Sequence, residues 1–322
     1  MTTTKGSPRF LRSAGAQRAA SVIEVSGLVK EFGEVTALRG LELSVEPGQV
    51  HGFLGPNGAG KTTTIRTLLG LCRRTAGEVR VLGLDPGQSS AEINRRVAYV
   101  PGDVHLWPSF TGSQVLDALA GLRGDRDEPA ERALVERFGL DPTKRIRTYS
   151  KGNRQKVALV AALSAPVEIL LLDEPTSGLD PLMERVFGDC VAQAAAKGRT
   201  VLLSSHILSE VDHLCSHVTI VKDGRTVESG SLASLRHLSA SAVTARGAGD
   251  VIDDAAERLG GWGLEVTRSS TSAGTSSIEL SVPRDEIPRV LGLLAHEGLA
   301  DITCATASLE DLFLRHYDVG AS

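Results

Sequence analysis

Cysteine is scarce in this chain of 322 residues: Cys72, Cys190, Cys215 and Cys304 stand far apart and form no CxxC pair. That spacing suits neither a zinc site nor a disulfide framework and reads as reduced thiols. Long apolar runs are missing as well. The most apolar stretch, Val157 to Leu172, is broken by Pro166 and Glu168 and falls short of the ~20 residues that cross a bilayer, so no membrane span is expected. The N-terminal segment carries Lys5, Arg9, Arg12 and Arg18 with no apolar run behind them, and therefore does not read as a secretion signal. Residues 1–20 read as a disordered basic tail, or as sequence upstream of a misassigned start codon. A basic excess is also lacking, since Lys and Arg total 35 against 39 Asp and Glu, a net charge of −4. Nucleic acid is not an expected partner of such a chain.

What is present suits a globular protein, with 41% hydrophobic and 23% charged residues and enough length for one large domain and one small one. From Val22 to about Gly230 short β-branched runs alternate with helical patterns, the mark of an α/β domain on a largely parallel sheet. Strands are expected at Leu41 to Val45, Gln49 to Leu54, Ile169 to Asp173 and Thr200 to Ser204, and a helix at Lys61 to Leu71. Val218 to Lys222 and Arg225 to Glu228 meet at Asp223-Gly224, a hairpin signal. Val115, Leu116, Leu119 and Leu122, then Leu134, Val135 and Phe138, recur at helical spacing and predict a helical subdomain over residues 102–165. After Leu238 the texture becomes rich in Ser, Ala and Gly. A C-terminal accessory domain, residues 239–322, is expected there in the order strand, helix, strand, strand, helix, strand, which would suit a ferredoxin-like sheet. Ser308 with Asp311 resembles a capping box and marks a helix start near the end.

Two features carry chemistry. Gly55, Pro56, Asn57, Gly58, Ala59, Gly60, Lys61 and Thr62 fit GxxxxGK[ST], directly after an apolar strand and directly before a helix, with Thr63 next. Glycines there let successive N–H groups curl toward phosphate oxygens, and the helix adds the positive end of its dipole. Lys61 would reach the β- and γ-phosphates, and Thr62 would place its hydroxyl on Mg²⁺. The second feature is the apolar run Ile169 to Leu172, ending in Asp173 and Glu174. Acids at the end of a buried strand point to a ligand there, although a solvated Asp-Glu turn is the plainer alternative. Asp173 is placed to hold the Mg²⁺ shell. Glu174 would polarise the attacking water, a role typically worth ~10²–10⁴ in rate.

Ser177-Gly178-Leu179-Asp180 follows at once, and Ser204-Ser205-His206 closes the next strand run. Leu172 through Asp180, with His206 downstream, resembles the Walker B strand, D-loop and switch histidine of the ABC ATPases. Tyr149, Ser150, Lys151, Gly152, Asn153, Arg154 and Gln155 resemble the ABC signature, with Lys for its first glycine and Asn for its glutamine. Ser150 is also a good helix N-cap, the ordinary reading of that residue. In the family the signature closes over ATP held by a second ATPase domain, Ser150 and Gly152 meeting the γ-phosphate, so the resemblance implies a dimer. Phe32 matches the aromatic that stacks on adenine, a task any π-face can perform; a core Phe is the alternative. At the place of the family's Q-loop glutamine stands Gly102, which has no side chain to coordinate anything. Asp103, next along, is the acid expected to take over part of the metal or water contact.

The resemblance implies an α/β P-loop ABC ATPase with a mainly parallel core sheet, an antiparallel β subdomain and a helical subdomain. It implies ATP and Mg²⁺ as ligands, and a separate integral membrane permease as partner. The chain would then act at the cytoplasmic face of the membrane as a peripheral subunit. The signature variant and appended domain look like the subfamily that powers drug and antibiotic exporters, including the daunorubicin-resistance type. A soluble ABC ATPase of translation or DNA maintenance is the alternative, but such proteins carry two ATPase domains or a long coiled coil, and neither is seen here.

Overall fold

The computed structural model describes residues 21–238, 241–270, 275–305 and 310. The expected basic tail and the helix start at Ser308 lie outside the described residues. The chain opens with β1 (Ile23–Phe32), β2 (Val35–Val45), β3 (Val50–Leu54), α1 (Lys61–Leu68), β4 (Ala76–Val81), α2 (Pro86–Arg96) and β5 (Val97–Val100). A helical stretch follows, with α3 (Gly112–Arg123), α4 (Glu128–Arg137) and α5 (Lys151–Leu163). Strands and helices then alternate through β6 (Ile169–Asp173), α6 (Pro181–Ala196), β7 (Thr200–Ser205), α7 (Leu208–Leu214), β8 (His217–Lys222), β9 (Arg225–Ser231) and α8 (Leu232–Leu238).

The strand runs β3, β6 and β7 are buried along their whole length, as strands covered on both faces must be. They form the middle of a six-stranded sheet ordered β5-β6-β7-β3-β8-β9, parallel except for β9. Val100 lies level with Leu172, Asp173 with Ser204, and Ser205 with Leu54. The loops that leave these four strands therefore start at one rim. One face packs Leu54, Val100, Leu172 and Leu203 against the helical stretch, and the other packs Phe53, Leu171 and Leu202 against α1 and the second sheet. That second sheet is antiparallel, in the order β2-β1-β4. β2 starts six residues before its expected N-terminus because Gly33 (φ 58°) turns the chain straight out of β1; its first residues contribute little to the core, so no apolar alternation announces them. The β8–β9 hairpin turns at Asp223 (φ 50°) and Gly224 (φ 73°), the doubly left-handed pair an Asp-Gly turn supplies.

In the helical stretch, Thr111 and Gln114 cap α3 reciprocally: Thr111 Oγ1 accepts from Gln114 N at 3.3 Å, and Gln114 Oε1 accepts from Thr111 N at 2.9 Å. Val115 and Leu116 are buried, but Leu122 is 79% exposed, against the periodicity. The helical rotation from Leu119 brings Arg123, not Leu122, to the inner side, where its guanidinium donates to Ala161 O at 3.4 Å. Arg199 adds bonds to Leu163 O (2.7 Å) and Ala162 O (3.2 Å), so two arginines serve three successive carbonyls at the C-terminal end of α5.

Beyond residue 240 a separate core forms on β10 (Ser241–Ala248), α9 (Gly249–Gly261), β11 (Val266–Ser270), β12 (Thr275–Val282), α10 (Ile287–His296) and β13 (Ala300–Ala305). Its sheet is wholly antiparallel, in the order β11-β12-β10-β13, which is the split βαβ arrangement.

Removing the Arg199 guanidinium strips two carbonyls at the end of α5 of a charged donor. Arg199→Ala is expected to cost about 2 kcal/mol, read as a lower urea midpoint at unchanged slope.

Candidate active site

The loop between β3 and α1 is shaped by left-handed glycines, with φ of 86° at Gly58 and 105° at Gly60. A Cβ at Gly60 would also lie 2.5 Å from Leu38 Cδ2, so both backbone and space demand glycine. Gly60 is the N-cap of α1 and offers no side-chain cap, which leaves the first N–H groups of the helix for a ligand. Pro56, Asn57 and Gly58 are exposed at the tip of the loop, Gly55 and Ala59 are buried beneath it, and Thr63 accepts a hydrogen bond from Thr67 Oγ1. The Lys61 side chain folds back, donating from Nζ to Gly55 O (2.6 Å) and Pro56 O (3.1 Å). Burial draws its ammonium below the usual lysine range, while Glu174 and Asp173 oppose that fall.

Asp173 ends β6 buried, and two hydroxyls bind its carboxylate: Thr62 Oγ1 donates to Oδ2 at 2.7 Å and Ser204 Oγ to Oδ1 at 2.5 Å. The neighbouring Thr62 and Asp173 oxygens form a compact hard-donor pair. Among the described residues no group of three or more His, Cys, Asp or Glu is arranged to hold a metal ion by itself. This donor set fits Mg²⁺, which is commonly held by one or two carboxylates, retained waters and substrate phosphates rather than by a full protein cage.

Glu174 follows in a left-handed conformation (φ 47°), a strain of roughly 1–3 kcal/mol for a residue with a Cβ. Its N–H is held by both Ser204 O (3.1 Å) and Ser204 Oγ (3.2 Å). The turn sends the carboxylate off the strand, so that Oε1 lies 3.7 Å from Lys61 Nζ and 3.3 Å from His206 Nδ1. One carboxylate thus faces the phosphate-loop lysine and the histidine at the end of β7 together.

Ser150 caps α5, its Oγ accepting from Asn153 N at 3.2 Å. Lys151 Nζ donates to Ser177 Oγ at 2.8 Å, and a Cβ at Gly152 would lie 2.4 Å from Gly178 O. The N-terminus of α5 therefore rests on residues 177–178 of its own chain. Among the described residues none of its hydrogen bonds reaches the phosphate loop. Asp180 caps α6, accepting from Leu182 N (3.1 Å) and Met183 N (3.0 Å). Phe32, at the end of β1, is 52% exposed with Lys30 Nζ 4.6 Å from its ring centroid; it is not a core residue. Gly102 comes close to the acids, a Cβ there lying 3.3 Å from Asp173 O and 3.7 Å from Glu174 Cβ. The Asp103 side chain is 80% exposed, 3.7 Å from His105 Nε2.

Sequence reasoning passed over Ser204 as a partner of Asp173, and named Gln155 within the signature run without its contact: it is buried and donates from Nε2 to Pro175 O at 2.9 Å. Both are ordinary residues of their elements. The signal available was position alone: Ser204 ends a strand beside Asp173, and Gln155 lies one turn into the α5 helix.

Residues 38–177 match the family model described as ABC transporter. The chain is 34% identical over 303 residues, 91% of each protein, to the daunorubicin/doxorubicin resistance ATP-binding protein of Streptomyces peucetius. Among solved structures, an ATP binding subunit of an ABC transporter matches with TM-score 0.63 and 29% identity, over 67% of this chain and 92% of that one. A dimeric ATP-binding cassette in a post-hydrolysis state, bound to ADP and Pi, shares the fold with TM-score 0.58 at 21% identity, over 65% of this chain and 98% of that one.

Gly152→Ala forces α5 away from Gly178. It is expected to leave ATP binding by titration calorimetry within about twofold and to lower turnover roughly tenfold or more.

Proposed function

The chain belongs to the ABC transporter family as an ATP-binding subunit, and from that premise we propose that it powers export of a small, drug-like molecule through a separate membrane permease. It is an ATPase coupled to transport. No described helix is long and apolar enough to cross a membrane; in this reading the chain is a peripheral subunit at the cytoplasmic face that works on another protein's channel. The export reading is supported by the drug-resistance relative, matched over most of both lengths.

One observation carries the chemistry: Glu174, turned into a left-handed conformation, stands between Lys61 and His206 beside Asp173 and Thr62. The phosphates of ATP lie on the N–H groups of the loop and the start of α1, with Lys61 exchanging its carbonyl partners for β- and γ-oxygens. Adenine stacks on Phe32. Thr62 and Asp173 would hold Mg²⁺, which when bound would offset negative charge on the phosphates. Glu174 accepts the proton of the water that attacks the γ-phosphate. His206 contacts Glu174 from the neighbouring strand and donates to the γ-phosphate.

The signature acts in trans. Ser150 and Gly152 of one chain complete the site on a second copy, with Lys151, Asn153 and Asp180 shaping the joint. Family domains of this kind dimerise, and a homodimer is the simplest pairing for a chain with one phosphate loop and one signature. Trp107 and Phe110, with ring centroids 5.5 Å apart and both exposed, give the segment after Gly102 an apolar anchor for the permease.

Glu174→Gln is expected to retain ATP binding, to lose about 10²–10⁴ in turnover, and to accumulate an ATP-bound dimer on gel filtration. Lys61→Ala is expected instead to weaken ATP binding itself, because it removes charge facing the phosphates in the ground state. A monomeric Glu174→Gln protein with ordinary turnover would refute the assignment.

A further inference from the structure

Three consecutive residues at the end of β7 are each tied to a different acid. Ser204 Oγ donates to Asp173 (2.5 Å), Ser205 Oγ donates to Glu210 Oε2 (2.6 Å), and His206 Nδ1 lies 3.3 Å from Glu174. The first and third acids belong to the hydrolytic site already described. Glu210, in the first turn of α7, has no role in it.

Ser205 is buried, and its hydroxyl also accepts from Ile207 N at 2.9 Å. Those two bonds bracket His206 in the sequence and set the course of the turn that carries its ring. A hydroxyl has one proton, and here it points to Glu210, the nearer acceptor, since Ile207 O lies 3.5 Å away. Its other oxygen, Oε1, is buried with no hydrogen-bond partner among the described residues, and burial pushes the carboxyl pKa up against the Ser205 hydroxyl. One carboxylate therefore ties the first turn of α7 to the turn after β7 that carries His206.

We propose that Glu210 is a positioning residue for ATP hydrolysis, holding in place the turn that sets His206 beside Glu174. This rests on the hydrolytic reading of Glu174 and His206. Loss of the carboxyl leaves the buried Ser205 hydroxyl without its near acceptor and frees the His206 turn, while the phosphate loop keeps all its contacts. The defect then falls on the chemical step and spares nucleotide binding. A glutamine keeps an acceptor oxygen for Ser205, so it preserves the brace.

The test is steady-state ATPase of the purified full-length chain carrying Glu210→Ala, Glu210→Gln, Ser205→Ala, or Ser205→Ala with Glu210→Ala, beside Glu174→Gln. Expected are a roughly tenfold fall in kcat for Glu210→Ala with KM for ATP within about twofold, and near wild-type kcat for Glu210→Gln. Ser205→Ala should show the same pattern as Glu210→Ala, and the double variant should be no worse than the poorer single one. Wild-type kcat in Glu210→Ala, equal losses in Ala and Gln, or multiplying effects in the double variant would overturn the brace. If Glu210→Ala fails to fold, Ser205→Ala decides: a normal kcat there rejects the proposal. Full turnover in Glu174→Gln would instead reject the hydrolytic reading, whereas an inactive Glu174→Gln beside a normal Glu210→Ala rejects the brace alone.

Discussion

The hydrogen bond from Thr62 to Asp173, 2.7 Å long and joining residues 111 apart in sequence, is the constraint on which the site depends. It locks the first turn of α1 against the end of β6, and so fixes the phosphate loop relative to the acids. A buried carboxylate is stable there only because hydroxyls bind it. Thr62 supplies one and Ser204 the other, and Ser204 also holds the Glu174 N–H. The same Asp173 thus orders β3–α1, β6 and β7 at a single rim of the sheet.

The left-handed backbone at Glu174 is the local strain that this order supports. A residue continuing along β6 would alternate toward one of the two buried cores, where an unpaired carboxylate is prohibitive. Turning at φ 47° instead brings the side chain between Lys61 and His206. Parallel pairing of β3, β7 and β6 gives that turn its surroundings, because level strand ends place the lysine loop and the histidine turn on either side of it.

Much of this was legible in the sequence where chemistry is written in contiguous residues. Gly55 to Thr62, Asp173-Glu174, the Asp223-Gly224 hairpin and the Ser150 cap each declare themselves within a few positions. What was not legible lies in contacts between distant segments. Nothing near Gly152 announces that Gly178 O fills the space of its missing Cβ, and nothing near Ser204 or Gln155 announces their partners 31 and 20 residues away. Leu122 misled because helical periodicity does not say where a partner helix ends, and Arg123 took the inner position to reach the carbonyls of α5.

The central claim is that each ATP site joins the phosphate loop of one copy to the α5 N-terminus of another, as expected from an α5 terminus that rests on its own residues 177–178. Complementation between two inactive variants tests it most directly. Lys61→Ala disables the phosphate loop and Gly152→Ala the signature; in a mixed dimer, the intact loop of one chain meets the intact signature of the other. The expected result is ATPase activity that reappears on mixing the two proteins and is absent when both substitutions are placed in one chain and mixed with a Lys61→Ala protein. Mixed dimers that form and stay as inactive as either parent would contradict the shared site.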